Sequence, residues 1–335
     1  MTLVLKVVKK NGERARKFLI QKNYLDGDYR PDSDKKHIYF PATVEFKTKL
    51  GTFEKRNLDK FKSRPTSLRE LFMKVLPVKL VDDVRRSYDL IGDIAVIEIP
   101  NSLKKYEKVI ANSLLKTNPK IKVVAKKPDK IKGKYRIRKL KILAGEKRTT
   151  TEYRESECLF RFDLNKTYFS QRLGNERLRL AKRVSGSEKI LVMFSGIAPF
   201  GIVIAKRNPF ARIWNIELNP AAAKYAKENI KLNQLESRVF SIKGDVKKQI
   251  PKLKEKFDRI IMVLPHDNEK FLADALNVSK KGTIIHMYAI HTDSEIAGVR
   301  KRIRENHPLK INKTVKAGDY GPKMWRYCLD MKVTV

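Results

Sequence analysis

The sequence predicts an α/β protein, with an open, mostly parallel sheet covered by helices in its C-terminal half and two smaller α/β (α+β) units before it. Three observations carry this prediction. After Ser187, β-rich and helical runs alternate with short connections, the pattern that builds a parallel sheet with helices on both faces. The length, 335 residues, exceeds what one core usually organises. The polar stretch Lys60 to Ser67, with Pro65 inside it, interrupts the apolar pattern as a linker does.

In the first unit, residues 1–62, Leu3 to Val8 reads as a buried strand. Asn11-Gly12-Glu13 opens a helix through Phe18, Leu19 and Ile20, and His37 to Pro41 reads as a second strand. The second unit, 63–152, begins with the helical spacing of Leu68, Leu71, Phe72 and Val75. Tyr88 to Pro100 then reads as one mostly buried strand, and Leu103 to Leu115 as a helix. In the third unit, 153–335, strands are expected at Lys189 to Phe194, Arg212 to Glu217, Val239 to Lys243, Arg259 to Val263 and Thr283 to Ile290. Asn219-Pro220 supplies a cap and first turn for a helix over Ala221 to Asn233. Lys310 to Val315 and Trp325 to Val335 fit an antiparallel hairpin at the sheet edge.

Charge narrows the partner. With 75 Lys+Arg against 37 Asp+Glu, the formal charge is +38, which concentrates polyanions near the surface. The excess is not uniform: Lys120 to Arg148 holds thirteen basic residues against Asp129 and Glu146. Such clustering points to nucleic acid rather than to solubility, although electrostatics alone does not separate RNA from DNA. No membrane association is expected. The longest nearly apolar stretch, Ile190 to Ala205, is broken by Ser195, Gly196, Pro199 and Gly201, and no basic amphipathic end or secretory signal accompanies it. Cys158 and Cys328 are the two cysteines, so no zinc or other metal cluster and no disulfide framework is indicated, and a cytoplasmic location is expected.

The segment Val192 to Gly201 follows a strand and opens a helix, and its small residues let a ligand approach backbone N–H groups. Its spacing is neither the dinucleotide fingerprint nor the phosphate loop. Glu217 ends the next strand, where a carboxylate can accept hydrogen bonds from both hydroxyls of a ribose, and Asp245 ends the third, within reach of an adenine edge. Each acid alone reads equally as a helix cap or a solvated group. Together with the loop they describe an adenosine pocket.

These residues carry a resemblance. Phe194-Ser195-Gly196-Ile197-Ala198-Pro199-Phe200 resembles the F-A-G-V-G-P-F loop of the archaeal and eukaryotic tRNA (guanine-N1)-methyltransferases that modify position 37 beside the anticodon. Asn215 to Pro220 is similar to their acidic-x-N-P strand end, and Gly244-Asp245-Val246 to their G-D-V turn. Tyr168-Phe169-Ser170 with Arg172 to Arg177 resembles the more specific Y-F-S-P-R-L-x-x-E-R signature. Tyr135 to Arg138 and Leu143 to Thr149 resemble the core motif of the middle domain.

The resemblance implies a Rossmann-like class I methyltransferase domain in the C-terminal half, S-adenosylmethionine as cofactor and tRNA, not DNA, as partner; a monomer is the default expectation, since oligomeric state is not readable from the sequence. It implies Glu176 as general base and Arg136 as the cation holding guanine O6. Arg177, Phe194, Ser195, Gly196, Glu217, Leu218, Asp245, Val246 and Val263 would lie around the cofactor. Tyr168, Arg138, Arg148 and Pro265 would contact the substrate, and the N-terminal unit would reach the tRNA elbow.

The chain also departs from the family pattern. Val192 replaces an Asp, Ala198 a Gly and Gln171 a Pro, and Val263-Leu264-Pro265 stands where the family has N-L-P or N-P-P. Valine cannot hydrogen-bond as that Asn does; His266, Asp267 or Asn268 could supply a polar group. Two other readings follow from these departures: a wyosine-type base at position 37 as substrate, taking methyl or aminocarboxypropyl, or an RNA-binding protein without chemistry.

Overall fold

The computed structural model describes residues 1–60, 72–73, 75–81, 83, 88–127, 137, 139–264 and 266–335. Two compact units emerge, Met1–Leu76 and Pro77–Val335. In the first, β1 (Thr2–Val8) is central to an antiparallel sheet of order β2-β3-β1-β4, with β2 at Asp32–Ser33, β3 at His37–Pro41 and β4 at Thr52–Arg56. The helix Gly12–Gln21 lays Ala15 and Leu19 on Leu5, Val7 and Phe40. The two strands not anticipated, β2 and β4, are short and polar and occupy the edges, where charged side chains suit solvent better than a core. Most of the expected linker and the helix at Leu68 and Leu71 lies outside the described residues.

The second unit opens with a four-stranded sheet of order β5-β6-β7-β8: Asp89–Ile91, Ile94–Ile97, Val123–Lys126 and Lys141–Gly145. The single strand expected over Tyr88 to Pro100 is instead an antiparallel hairpin. Gly92 turns it, at φ +60°, and a Cβ there would stand 2.2 Å from the Glu152 carbonyl oxygen. The helix Glu107–Thr117, entered through a 3-10 turn, crosses from β6 to its parallel neighbour β7. A second hairpin follows, β9 (Thr150–Glu155) with β10 (Cys158–Asp163), turned on Ser156 and Glu157, both at positive φ as a two-residue hairpin loop requires. The division expected at 152/153 falls inside β9.

The remaining strands form one seven-stranded sheet of order β13-β12-β11-β14-β15-β17-β16. Lys189–Met193 (β11), Arg212–Glu217 (β12), Val239–Lys243 (β13), Phe257–Met262 (β14) and Ser279–His291 (β15) are parallel. Leu309–Gly321 (β16) and Met324–Val333 (β17) form the expected hairpin, with β17 antiparallel to both β15 and β16. Along β11 alternate residues serve two cores: Ile190 and Val192 join Phe200 and Val203 on one face, Leu191 and Met193 join Leu272 and Val299 on the other. That two-sided burial is why these strands read as continuous apolar runs. It also explains Val192, which is fully buried. Among the described residues no helix is long and apolar enough to cross a membrane.

Candidate active site

Strand order reverses on either side of β11, so the carboxyl ends of β11, β12, β13 and β14 frame a crevice where ligands of open α/β sheets bind. β11 stops at Met193 because Phe194, Gly196 and Ala198 all take positive φ, at 61°, 59° and 64°. For the two that are not glycine this costs about 1 kcal/mol each, which the surrounding core offsets. The Ser195 N–H donates to the Ile216 carbonyl at 3.0 Å, and Pro199 then sits in the first turn of the helix Pro199–Arg207. A Cβ on Gly196 would meet only the Tyr168 carbonyl oxygen, at 3.7 Å. The loop therefore leaves room beside its backbone.

That room belongs to a cavity of about 330 Å³. Phe194, Ser195, Gly196, Glu217 and Leu218 line it from one side, Asp245, Val246 and Val263 from another, and Tyr168 and Arg177 close it. Ser195 Oγ is buried there without a hydrogen-bond partner among the described residues. Glu217 Oε2 accepts from the Gly196 N–H and Oε1 from the Asn219 N–H, each at 2.7 Å. Burial pushes the Glu217 carboxyl above the usual carboxylate range, and the backbone N–H bonds oppose this only in part. Asp245 does what the simpler reading allowed: its Oδ1 caps the helix Val246–Gln249 through the Lys247 N–H at 2.9 Å, while it still lines the cavity.

Arg177 is 1% exposed and held from all sides. Its guanidinium donates to both oxygens of Glu155 at 2.5 Å and to the Ser170 carbonyl at 3.2 Å, and lies over the rings of Phe169 and Phe200. Tyr168, half exposed, stands at the junction with a second, more polar cavity of about 250 Å³. Phe169, Ser170, Tyr320 and Arg326 also line both cavities.

Glu176, one residue before Arg177 on the helix Gly174–Ala181, is 5% exposed and is not on the cavity wall. Its Oε2 accepts from Arg179 Nε at 2.7 Å. Its Oε1 accepts from Arg179 Nη2 at 2.6 Å and from the Tyr288 hydroxyl at 2.7 Å. Arg179 also donates to Asp330 at 2.9 Å, and Asp330 in turn accepts from Arg183 and faces His286 Nδ1 at 2.6 Å. His286 Nε2 faces Arg259 Nη1 at 2.7 Å. Arginine only donates, so Nε2 is the acceptor and the proton is on Nδ1, pointing at Asp330. Burial holds His286 below its ordinary pKa, while the surrounding cations help hold Asp330 well below the usual carboxylate range. His286, Cys328 and Asp330 place ligand-type atoms within 4.8 Å of one another, but three guanidiniums crowd this cluster, and it is an ion-pair network.

Arg148 is away from the cavity, pairing with Asp93 and Glu146. Arg136, Arg138 and Pro265 lie outside the described residues. Asn268, of the three polar candidates after Val263, uses its Nδ2 to donate to the carbonyls of Met262 and Tyr288 at 2.8 and 3.0 Å, while its buried Oδ1 has no hydrogen-bond partner among the described residues. Sequence reasoning missed Arg179, Tyr288, Asp330, Phe271, Tyr320 and Arg326. The signal available for some of them was alternation: His286 and Tyr288 share one face of β15, opposite Asp330 and Cys328 of β17.

With this geometry in place, comparison with known proteins is direct. The profile of the TRM5/TYW2 methyltransferase domain matches residues 151–314, that of the TYW2 N-terminal domain 68–149, and that of the tRNA methyltransferase 5 N-terminal domain 5–48. The chain is 35% identical over 340 residues to the tRNA (guanine(37)-N(1))-methyltransferase Trm5b of Pyrococcus abyssi, covering 100% of both. It is 40% identical over 219 residues to the tRNA 4-demethylwyosine(37)-methyltransferase Taw21 of Saccharolobus solfataricus, covering 64% of this chain and 83% of that one. Among solved structures it resembles aTrm5 in complex with tRNALeu, with a TM-score of 0.75, 32% identity and coverage of 99% and 100%.

Proposed function

This chain belongs to the TRM5/TYW2 methyltransferase family, and from that premise we propose how its own residues carry the reaction. It is a tRNA (guanine-N1)-methyltransferase acting at position 37, with S-adenosylmethionine as cofactor and tRNA as substrate. The observation that carries the site assignment is the wall at the end of β11. A buried, unpartnered Ser195 Oγ, open space beside Gly196 and a half-buried Glu217 carboxylate held by backbone N–H groups fit a nucleoside with ribose hydroxyls. In this reading Phe194, Ser195, Gly196, Glu217, Leu218, Asp245, Val246 and Val263 hold the cofactor, and Arg177 fixes the loop at Ser170 beside it. Held there, the cofactor would supply a methyl group carried on a sulfonium.

N1 of guanine carries a proton that must leave, and the charge then spreads to O6. Glu176 is assigned as the base: Oε2 has a single partner, so one of its lone pairs is available to a proton. Arg136 is assigned to O6, and Tyr168 to stacking on a base splayed out of the RNA. Arg138, Pro265 and the basic middle unit hold the anticodon arm, and the N-terminal unit the tRNA elbow. Arg148 acts through its ion pair with Asp93 as a brace for that unit. We place the enzyme in the cytoplasm as a monomer, a state that light scattering checks.

The test is transfer of a labelled methyl group to a guanine-37 tRNA transcript, followed by chromatography of the nucleosides. N1-methylguanosine is expected, and its absence rejects the reading. A second substrate, a 4-demethylwyosine base at the same position, is favoured by the likeness to Taw21 and the TYW2 N-terminal profile. The same chromatogram distinguishes it.

A further inference from the structure

Arg326 is the cation in this site whose charge is not answered. It lies on β17, is 6% exposed, and its side chain has no ion pair or hydrogen bond among the described residues. Its guanidinium nitrogens are not sealed in the core but open on the two cavities, where they are free to donate to an electron-rich group that enters. The other arginine on the wall of the larger cavity, Arg177, is neutralised by Glu155. The remaining described cations of the smaller cavity, Lys127 and Arg172, are both paired with Asp89.

Position identifies the ligand. The residues assigned to the cofactor, Ser195, Gly196, Glu217 and Asp245, line the larger cavity and not the smaller one, whereas Arg326 and Tyr168 line both. On the assignment of the larger cavity to the cofactor, that junction is where a base entering beside Tyr168 would meet the methyl donor. Val263 and Leu264, on the same wall, have no side-chain donor to offer there.

We propose that Arg326 is a catalytic residue that donates to O6 of the target guanine and stabilises the charge developing on it. This rests on the guanine-N1 reading above. As the N1 proton passes to the base, the electron pair on N1 is shared with O6. When the new N–CH3 bond forms, that pair is committed to carbon, the pair of the breaking C–S bond returns to sulfur, and O6 becomes neutral again. A cation in place before the proton leaves lowers the acidity barrier of N1 without reorganising. O6 has two lone pairs, so Arg326 complements Arg136 rather than replacing it.

The experiment uses the full chain with R326Q, R326K and R326M. Single-turnover transfer at saturating cofactor and tRNA falls ~100-fold or more in R326Q, with partial recovery in R326K. The rate of R326Q rises with pH to a higher plateau point than that of the parent, because N1 is less acidic. Independently of activity, the parent binds guanine-37 tRNA more tightly than the same tRNA carrying 2-aminopurine, which lacks O6 and the N1 proton, and R326Q discriminates less than the parent, Arg136 being retained. Without ligands, R326M melts no lower than the parent, since an unanswered charge has been removed.

Several results overturn the proposal. An unchanged rate does so. Full rescue of R326Q by raising the cofactor concentration would assign Arg326 to the cofactor carboxylate. An equal loss of affinity for both tRNAs, with a shallower salt dependence, would assign it to a phosphate. A lower melting temperature of R326M would mean that the charge has a structural partner. If the parent itself makes no N1-methylguanosine, the guanine reading fails instead.

Discussion

Glu217 carries two duties at once: it ties the loop after β11 to the start of the next helix, and it faces the cavity. Its raised pKa gives those duties a pH signature. Ribose hydroxyls donate to the ionised carboxyl, so cofactor binding lowers the pKa and releases a proton. Cofactor affinity is therefore expected to fall as pH is lowered through the raised pKa of Glu217, and to be flat above it. Calorimetry across mildly acidic buffers checks this, and E217Q should remove the slope while weakening binding by about 1.5–3 kcal/mol. Glu176 separates chemistry from binding. E176Q is expected to abolish transfer while tRNA affinity changes little; retained transfer would move the base elsewhere. The local part of this site was legible because loop, strand end and cap are adjacent in sequence. Arg326 was not, because nothing near it in sequence says that its side chain is buried.

Two elements expose what a period-based reading overlooks. Tyr88 to Pro100 is apolar enough to pass as one strand, yet Gly92-Asp93 turns it back. G92A should destabilise the protein by at least about 1–3 kcal/mol, because φ +60° is strained for alanine and its Cβ would press on the Glu152 carbonyl. Denaturant unfolding measures this, and a neutral result would remove the turn from the argument. The β15–β17 pair makes a second case. His286 is held neutral, below its ordinary pKa, so its contribution is fully present above the unfolded value of about 6.5 and is lost as pH falls toward the folded one. Asp330, depressed by the His286 N–H and by Arg179 against the opposing effect of burial, adds stability that is lost only at much lower pH. The melting temperature is expected to decline on acidification below about pH 6.5, with a smaller slope in H286Q. D330N, leaving Arg179 and His286 buried without their shared anion, should cost about 3–5 kcal/mol.

The whole molecule is a polycation, and its charge of +38 makes tRNA affinity a salt-dependent quantity. Each phosphate neutralised contributes a slope of about −0.7 to −0.9 to the plot of log affinity against log salt. A slope of several units is expected, and a flat plot would remove the electrostatic account of binding. In the compact unit Pro77–Val335 the four-stranded sheet of the basic segment and the seven-stranded sheet follow one another along the chain, with the β9–β10 hairpin between them.

The sequence by itself determined the alternation of strands and helices, the cap at Asn219, the loop after β11 and the acids at successive strand ends. All of these depend on residues within a turn or two of one another. Tertiary structure decided the rest. Placing β17 between β15 and β16 is a long-range choice, and it sets the register that faces His286 with Asp330 and Tyr288 with Cys328. The same placement brings Arg326 to the junction of two cavities, where its burial turns an ordinary surface residue type into a charge that awaits a partner.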